Sequence, residues 1–297
     1  MKPLISVIIP TYNRIHKLKR AIDSVFHQTL QDWELIVVDN CSDDGTEGFI
    51  KSLDNNKVRF YSINNQGIIA ASRNLGINNS KGKYIAFLDD DDWWKPEKLE
   101  ICLRYLSQGA DIVYHDLFLV KKANQILYWS KSKTRDLSNP VFDDLLVNGW
   151  ALNNSSVVVH RSLLDQIGGL AENRKLVMAE DYEVWLRISQ LTEKFVRIPH
   201  TLGYYWVGGG NISKPELVLQ TWSEIEKLYK HEIDKLKSLQ SFYYLYYIKG
   251  RANFKLGNYH LSDNNLKTVL SKKIPIRIYV KCQFMRFVIS VKKIFGG

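Results

Sequence analysis

The amino-acid sequence predicts an α/β protein: a mainly parallel, Rossmann-like sheet flanked by helices, followed by a helical extension. Three observations predict it. Residues 4–9 and 33–38 are almost wholly apolar, as strands are when a parallel sheet buries both their faces. Between such runs lie stretches of about ten to fifteen residues with apolar side chains at helical spacing, the alternation of βαβ units. Several strand-like runs also end on turn-forming or acidic residues, at the end where open α/β sheets hold their ligands.

The elements follow in order. The strand at 4–9 ends in the turn Pro10-Thr11-Tyr12-Asn13-Arg14, and Leu18, Ala21, Ile22, Val25 and Phe26 then share a helical face. The strand at 33–38 ends at Asp39-Asn40, and Asp43 or Asp44 can cap the next helix. A third strand covers 58–63. Gly67 opens a helix through Ala70, Ala71 and Leu75, and the strand at 83–88 runs into four consecutive carboxylates, Asp89 to Asp92. Trp93 and Trp94 follow, Pro96 suits the first turn of a helix, and 97–106 continues it. A strand is expected at 111–116. Residues 121–139 are polar and loop-like, with a hairpin around Ile126-Leu127-Tyr128-Trp129. Asn153 to Ser156 precede a strand at 157–160 and a short helix at 161–167, stopped by Gly168-Gly169. Glu180-Asp181 then open a helix carrying Val184, Trp185, Leu186 and Ile188.

Four adjacent acids repel one another, and they persist at low cost only when solvated or when a cation sits among them. At a strand's carboxyl end, flanked by aromatics, they point to a site. Hard carboxylate oxygens suit Mg²⁺ or Mn²⁺, with phosphates and water completing the coordination.

Composition bounds the function classes. With 297 residues, 45% hydrophobic and 12% aromatic, the chain can bury a core and is not disordered. No apolar run approaches the ~20 residues of a membrane span, and residues 1–10 lack the features of a signal peptide. Cys41, Cys102 and Cys282 are odd in number and far apart, so a disulfide framework is not expected and a reducing cytoplasm is. A net charge of +10 asks for an anionic partner: nucleic acid, an acidic membrane or a phosphorylated substrate.

Beyond residue 213 the character changes. Trp222, Ile225, Tyr229 and Leu236 mark an amphipathic helix over 216–239, and 242–254 is rich in tyrosine. Gly250 to Phe254 with Leu256 to Tyr259 resembles the helix–turn–helix of a tetratricopeptide repeat. One such unit cannot stand alone, so it is expected to pack on its neighbours. Residues 264–297 hold no acid but eight basic side chains, among them Lys272, Lys273, Arg277, Lys281, Arg286, Lys292 and Lys293. That tail reads either as a packed helix or as an anchor on an anionic membrane. Arg277, Lys281 and Lys292 share one side of a helical projection, while Arg286 and Lys293 fall near the other.

Taken together the motifs resemble an inverting family 2 glycosyltransferase with the GT-A fold. The matching pieces are Pro10 to Arg14, Val37 to Asn40 with Ser42 to Thr46, Gly67 with Ala71 to Asn74, Asp89 to Asp92, Gly168-Gly169 and Glu180-Asp181. They stand in the family's order over residues 4–213. The resemblance implies a nucleotide-sugar donor, with the base stacked on Tyr12 and its edge on Asp39. Pro10, Thr11, Arg14, Arg73, Asp89 and Asp90 are expected around the rest of the donor. In the DxD motif, Asp89-x-Asp91, Asp91 would hold the metal with Asp89 assisting. Asp181 would be the general base, and Glu180, Asn154 and Ser155 would face the acceptor. One departure stands out. Relatives carry a late Tyr-Arg-x-His-Gly segment, whereas this chain has Trp206 at the arginine and Gly208 at the histidine, within a run from Tyr205 to Ser213. His200, nearby, is expected at a strand end and is given no role.

These readings give a catalytic domain at 1–213, divided into a donor half (1–92) and an acceptor half (93–213), and a helical extension at 214–297. The expected enzyme is a metal-dependent hexosyltransferase using a UDP-sugar. Its acceptor would be a polyprenyl-diphosphate-linked saccharide of a bacterial surface polysaccharide such as O-antigen or capsule. It would lie peripherally at the inner face of the cell membrane, without a nucleic-acid partner, and a homodimer stays open. The rivals are a metal-dependent nucleotidyltransferase or phosphohydrolase on the same aspartates, and a non-catalytic nucleic-acid-binding protein.

Overall fold

The computed structural model describes residues 2–122, 124–132, 134–209, 214–237 and 242–295. In chain order the first elements are β1 (Ile5–Thr11), α1 (Ile15–Phe26), β2 (Trp33–Asp39), α2 (Thr46–Ser52), β3 (Val58–Ser62), α3 (Ile69–Asn79) and β4 (Tyr84–Phe87). Then come β5 (Trp93–Trp94), α4 (Lys98–Ser107), β6 (Ile112–Val120), β7 (Lys131–Ser132), α5 (Val141–Asn148), β8 (Val158–His160), α6 (Arg161–Gln166), α7 (Glu180–Ser189) and β9 (Phe195–Trp206). Five helices close the chain: α8 (Pro215–Leu228), α9 (Lys230–Lys237), α10 (Tyr244–Lys255), α11 (Tyr259–Leu270) and α12 (Ile276–Phe295).

Two compact units result. The first comprises Met1–Leu137, Trp150–Arg174 and Glu180–Asn211; the second comprises Ser138–Gly149, Lys175–Ala179 and Ile212–Gly297. The division expected at residue 213 is therefore crossed by two short segments that belong with the helices. Phe142 of α5 meets Tyr229 edge-on at 5.7 Å, and Thr221 of α8 donates to the Lys175 carbonyl at 2.9 Å.

The first unit holds the whole sheet, in the order β3-β2-β1-β4-β8-β6-β9-β5 with β7 on β6. β3, β2, β1 and β4 are mutually parallel, as the buried apolar runs require; β8 enters antiparallel, and β6 and β9 pair in parallel again. Parallel ladders carry most of the paired length. Val7, Ile9, Leu35, Val37 and Ala86 join Leu18, Ile22 and Val25 of α1 in one core, with no surface exposed on most of them. On the other face α3 lies so close to β1 that a Cβ on Gly76 would meet Ile8 Cγ2 at 2.6 Å.

Four expectations change. The polar stretch after β6 is a short arm returning through β7, and β6 is longer than foreseen. The Trp93–Trp94 pair forms β5 on the edge of β9, which the sequence did not announce. His200 lies inside β9, not at a strand end, because that strand continues to Trp206 through bulges against β6. The helix foreseen over 216–239 is two helices, α8 and α9, parted at Tyr229; Leu239 lies outside the described residues.

Within the second unit α10 and α11 form the expected helix–turn–helix. One side of α12 buries Cys282 and Ile289, and Arg286 on that side donates to Asp263 of α11 at 2.7 Å. Its other side leaves Ile276, Val280, Phe284 and Phe287 exposed, beside exposed Arg277 and Lys281. Lys293 falls where side chains are not described. Among the described residues no helix is long and apolar enough to cross a membrane.

Candidate active site

The carboxyl edge of β1, β2 and β4 gathers the motif residues because parallel pairing aligns their ends. Thr11 and Asp39 are direct register partners, and the Asn40 N–H donates to the Thr11 carbonyl at 2.9 Å. The two loops beyond are then tied across. Asn13, at φ +49°, donates its N–H to Ser42 Oγ at 2.8 Å, and the Asp43 N–H donates to Asn13 Oδ1 at 2.9 Å. Asp44 accepts from the Ile15 N–H at 2.8 Å and the Thr46 N–H at 3.2 Å, so one carboxylate serves the start of both α1 and α2. The turn thereby holds Tyr12 out, 55% exposed, at the mouth of the edge. Asp39 is buried, both its oxygens accepting from Ser42.

The four aspartates divide their labour. Asp89 pairs with Arg73 Nη2 at 2.8 Å, and its N–H donates to Ser155 Oγ at 3.1 Å. Asp90 is buried, accepting from Thr11 Oγ1 at 2.8 Å and Arg14 Nη1 at 3.3 Å. Asp91 pairs with Arg14 at 3.2 Å and Lys17 at 3.7 Å, and its carbonyl accepts from Arg20 at 2.8 Å. Asp92 turns away from the edge and accepts from the Trp206 N–H at 2.8 Å. Burial pushes the Asp90 carboxyl up to about 6 against the pull of Arg14 and Thr11. It raises Asp91 as well, aided by the charge of Asp89 and opposed by Arg14 and Lys17. Asp92 is raised well above the usual carboxylate range by burial among neighbouring acids.

Arg73 brings in the second acidic pair. It is 3% exposed and donates through Nη1 to Glu180 Oε1 at 2.6 Å while Nη2 holds Asp89. Burial opposes its charge and the two carboxylates outweigh that cost. The motif around it works as a set. Asn74 donates to the Leu170 carbonyl at 2.9 Å and accepts its N–H at 2.8 Å, pinning the chain beyond α6 to α3. Gly169 sits at φ +78°, and a Cβ there would meet Asn74 Oδ1 at 2.6 Å, so only glycine fits both the turn and the contact. Burial lifts Glu180 up to about 7 in spite of Arg73, and Asp181 is likewise raised by burial, with Arg73 opposing.

Thr11, Arg14, Arg73, Asp89, Asp90, Asp91, Asn154, Ser155 and Glu180 thus lie in one linked arrangement, with Asp181 within the electrostatic reach of Arg73 and Asp89, and Pro10 one residue before Thr11 on β1. Several act on each other instead of facing outward. Ser155 is 1% exposed, its carbonyl accepting from Trp94 Nε1 at 2.7 Å, and Asn154 donates to Asp89 at 3.4 Å; both position the aspartate loop. Sequence reasoning missed Arg20 and Lys17. The Arg20 guanidinium lies 3.6 Å over the Trp93 ring, and both cations reach the Trp206 ring, at 5.3 and 5.5 Å. The two departures from the family pattern meet in space: a Cβ on Gly208 would come within 2.2 Å of the Trp206 ring, so a larger residue there would force that ring to shift. Residues 210–213 of that segment lie outside the described residues.

A divalent ion is testable on this geometry. Among the described residues no three acids, histidines or cysteines are grouped as a ready ligand set. Asp89 and Asp91 do offer hard oxygens at the crevice, the number an ion needs when phosphates and water supply the rest. Six carboxylates (Asp89 to Asp92, Glu180, Asp181) face four cations (Arg14, Lys17, Arg20, Arg73) among the described residues, and burial first, with neighbouring acids second, raises several of the carboxyls. The residues fit such an ion.

The family model described as glycosyl transferase family 2 matches residues 6–166. An uncharacterized glycosyltransferase of Methanocaldococcus jannaschii, MJ1057, is 32% identical over 203 residues, 65% of this chain and 67% of that protein. The Escherichia coli protein WfgD, named UDP-Glc:alpha-D-GlcNAc-diphosphoundecaprenol beta-1,3-glucosyltransferase, is 29% identical over 185 residues, covering 62% and 69%. Several further relatives are spanned over less than half their length. Among solved structures, S. aureus TarS 1-349 in complex with UDP-GlcNAc superposes with a TM-score of 0.64 at 18% identity, covering 100% of this chain and 92% of that one. The mannosyltransferase PcManGT from Pyrobaculum calidifontis, in complex with GDP-Man and Mn²⁺, gives 0.60 at 15%, covering 100% and 88%. At such identities the likeness concerns the fold, and that fold is the GT-A type expected from the motifs.

Proposed function

This chain belongs to glycosyl transferase family 2, and on that premise we propose that it moves one sugar from a UDP-sugar to a saccharide hydroxyl, inverting the anomeric carbon. Membership sets aside the nucleotidyltransferase and non-catalytic readings. The observation that carries the proposal is the buried Arg73 bridge, 2.8 Å to Asp89 and 2.6 Å to Glu180. Through it the aspartate loop and the later acidic pair share one crevice, where donor and acceptor must meet.

Exposed Tyr12 stacks the base, and the loops knitted by Asn13 and Ser42 frame it beside Asp39. A divalent ion, held by Asp91 with Asp89 and the donor phosphates, would neutralise the charge of the departing diphosphate. Arg14 and Lys17, within reach of Asp91, add cationic charge on the same side. Asp181 takes the proton of the acceptor hydroxyl as that oxygen attacks opposite the diphosphate, which inverts the configuration. A carboxylate raised by burial is the stronger base for this step. Glu180, fixed by Arg73, orients the loop and the acceptor.

The acceptor class is a lipid-diphosphate-linked saccharide of a surface polysaccharide, supported by the name of WfgD. A place at an anionic membrane surface fits α12, whose exposed Ile276, Val280, Phe284 and Phe287 stand beside Arg277 and Lys281. Pairing with Asp263 places Arg286 on the packed side, so the mixed projection of the tail resolves into two faces. One experiment tests the proposal. The protein is incubated with a panel of UDP-sugars, Mn²⁺ and a synthetic lipid-diphosphate saccharide, and the product's anomeric configuration is read by NMR. A β-linked glycoside from an α-linked donor is expected. Release of free UDP without any glycoside, across donors and acceptors, would overturn it.

A further inference from the structure

The arm that leaves β6 and returns through β7 presents Ile126, Leu127 and Trp129 at 85%, 63% and 83% exposure. Three large apolar side chains within four residues are seldom left to water without a partner. The presentation is built. Tyr128 turns inward, its ring 5.6 Å from Phe118 and 4.9 Å from Tyr204, so its neighbours in an extended chain point out. Gln125 ties the turn, accepting from the Lys121 N–H at 3.0 Å and donating to the Leu127 carbonyl at 2.9 Å. The Leu119 N–H donates to the Ser130 carbonyl at 2.8 Å and closes the base.

Along the arm's own sequence the charge has one sign. Residues 117–135 contain no acid, and Lys121, Lys122, Lys131, Lys133 and Arg135 are all basic. Apolar side chains with an interfacial tryptophan at the tip and cations at the base match a bilayer with anionic headgroups: the ring enters the interface and the lysines meet the phosphates. We propose that this arm docks the first unit on an anionic lipid bilayer, with Ile126, Leu127 and Trp129 entering the interface. Its use in catalysis rests on the lipid-carried acceptor proposed above; the docking itself does not.

The test needs no sugar transfer. Cys102 and Cys282 are buried, so Leu127→Cys in a Cys41→Ser background takes a single environment-sensitive fluorophore. With phosphatidylglycerol-containing vesicles its emission should shift to the blue and be quenched by doxyl-labelled lipid, and high salt should reverse both. Ile126→Ser with Trp129→Ser should weaken partition to these vesicles by roughly tenfold and leave UDP affinity unchanged. No shift with anionic vesicles overturns the proposal, even if the protein binds them elsewhere. An equal shift with pure phosphatidylcholine overturns the electrostatic part, and a shift that follows protein concentration without lipid would assign the arm to a second copy of the chain. Failure of transfer with docking intact would count against the proposed function alone.

Discussion

The two halves of the sheet hold their functional residues by different means. Along β3-β2-β1-β4, strands end in register, and neighbouring loops are tied by backbone groups and short polar side chains such as Asn13, Ser42 and Asp44. Where that half meets β8-β6-β9-β5, whose strands mix directions and carry bulges, the acids depend on groups that reach across: Arg73 to Asp89 and Glu180, and the Trp206 N–H to Asp92. Local ties tolerate a lost member better than a buried charge tolerates a lost partner. The first half should therefore respond to mutation with graded losses of affinity, and the junction between the halves with losses of activity or of the fold.

The largest effect is expected at the junction itself. Asp91→Asn should abolish transfer in a radiolabelled-sugar assay with near-native circular dichroism, and excess EDTA should do the same to wild type. Full activity in EDTA would remove the metal from the proposal. Asp181→Asn should lose about 10²–10⁴ in rate while calorimetry still records UDP binding; near-normal turnover would disqualify it as the base. Arg73→Met leaves the buried Glu180, and the half-buried Asp89, without their cation. It should cost roughly 3–5 kcal/mol in chemical denaturation, and a much smaller loss would mean the bridge is not what joins the halves.

A pH series sharpens the contrast further. Asp90 and Glu180 have carboxyls raised by burial, to about 6 and about 7. Such groups bind more protons folded than unfolded, so their contribution to stability is full below the ordinary carboxylate range and fades as pH rises through the folded values. The donor-free protein should thus melt at higher temperature at pH 5.5 than at pH 7.5, and Asp90→Asn should flatten that slope. Activity should move the opposite way, because Asp181 must be ionised. Parallel slopes would contradict the assignment. The smallest effect is expected in the first half: Asp39→Ala should weaken UDP binding by roughly tenfold, the size of one or two hydrogen bonds, with kcat little altered.

The sequence by itself determined the central strands, because apolar runs such as 33–38 must be buried wherever the chain goes; composition marked the acidic loop, and the family resemblance marked the Glu180-Asp181 pair. Periodicity is a local property, and it stops at the single segment. It could not say that Asp90 and Asp92 face inward while Asp89 and Asp91 line the crevice, since four identical residues in a row differ only in what lies across from them. Nor could it show Arg73 as a bridge, β5 completing the edge of β9, or the Trp206 ring filling the space a side chain at 208 would need. The two faces of α12 also stayed mixed until Asp263, from another helix, claimed Arg286. Each of these was decided by atoms distant in the chain and close in space, where burial makes a charge demand its partner.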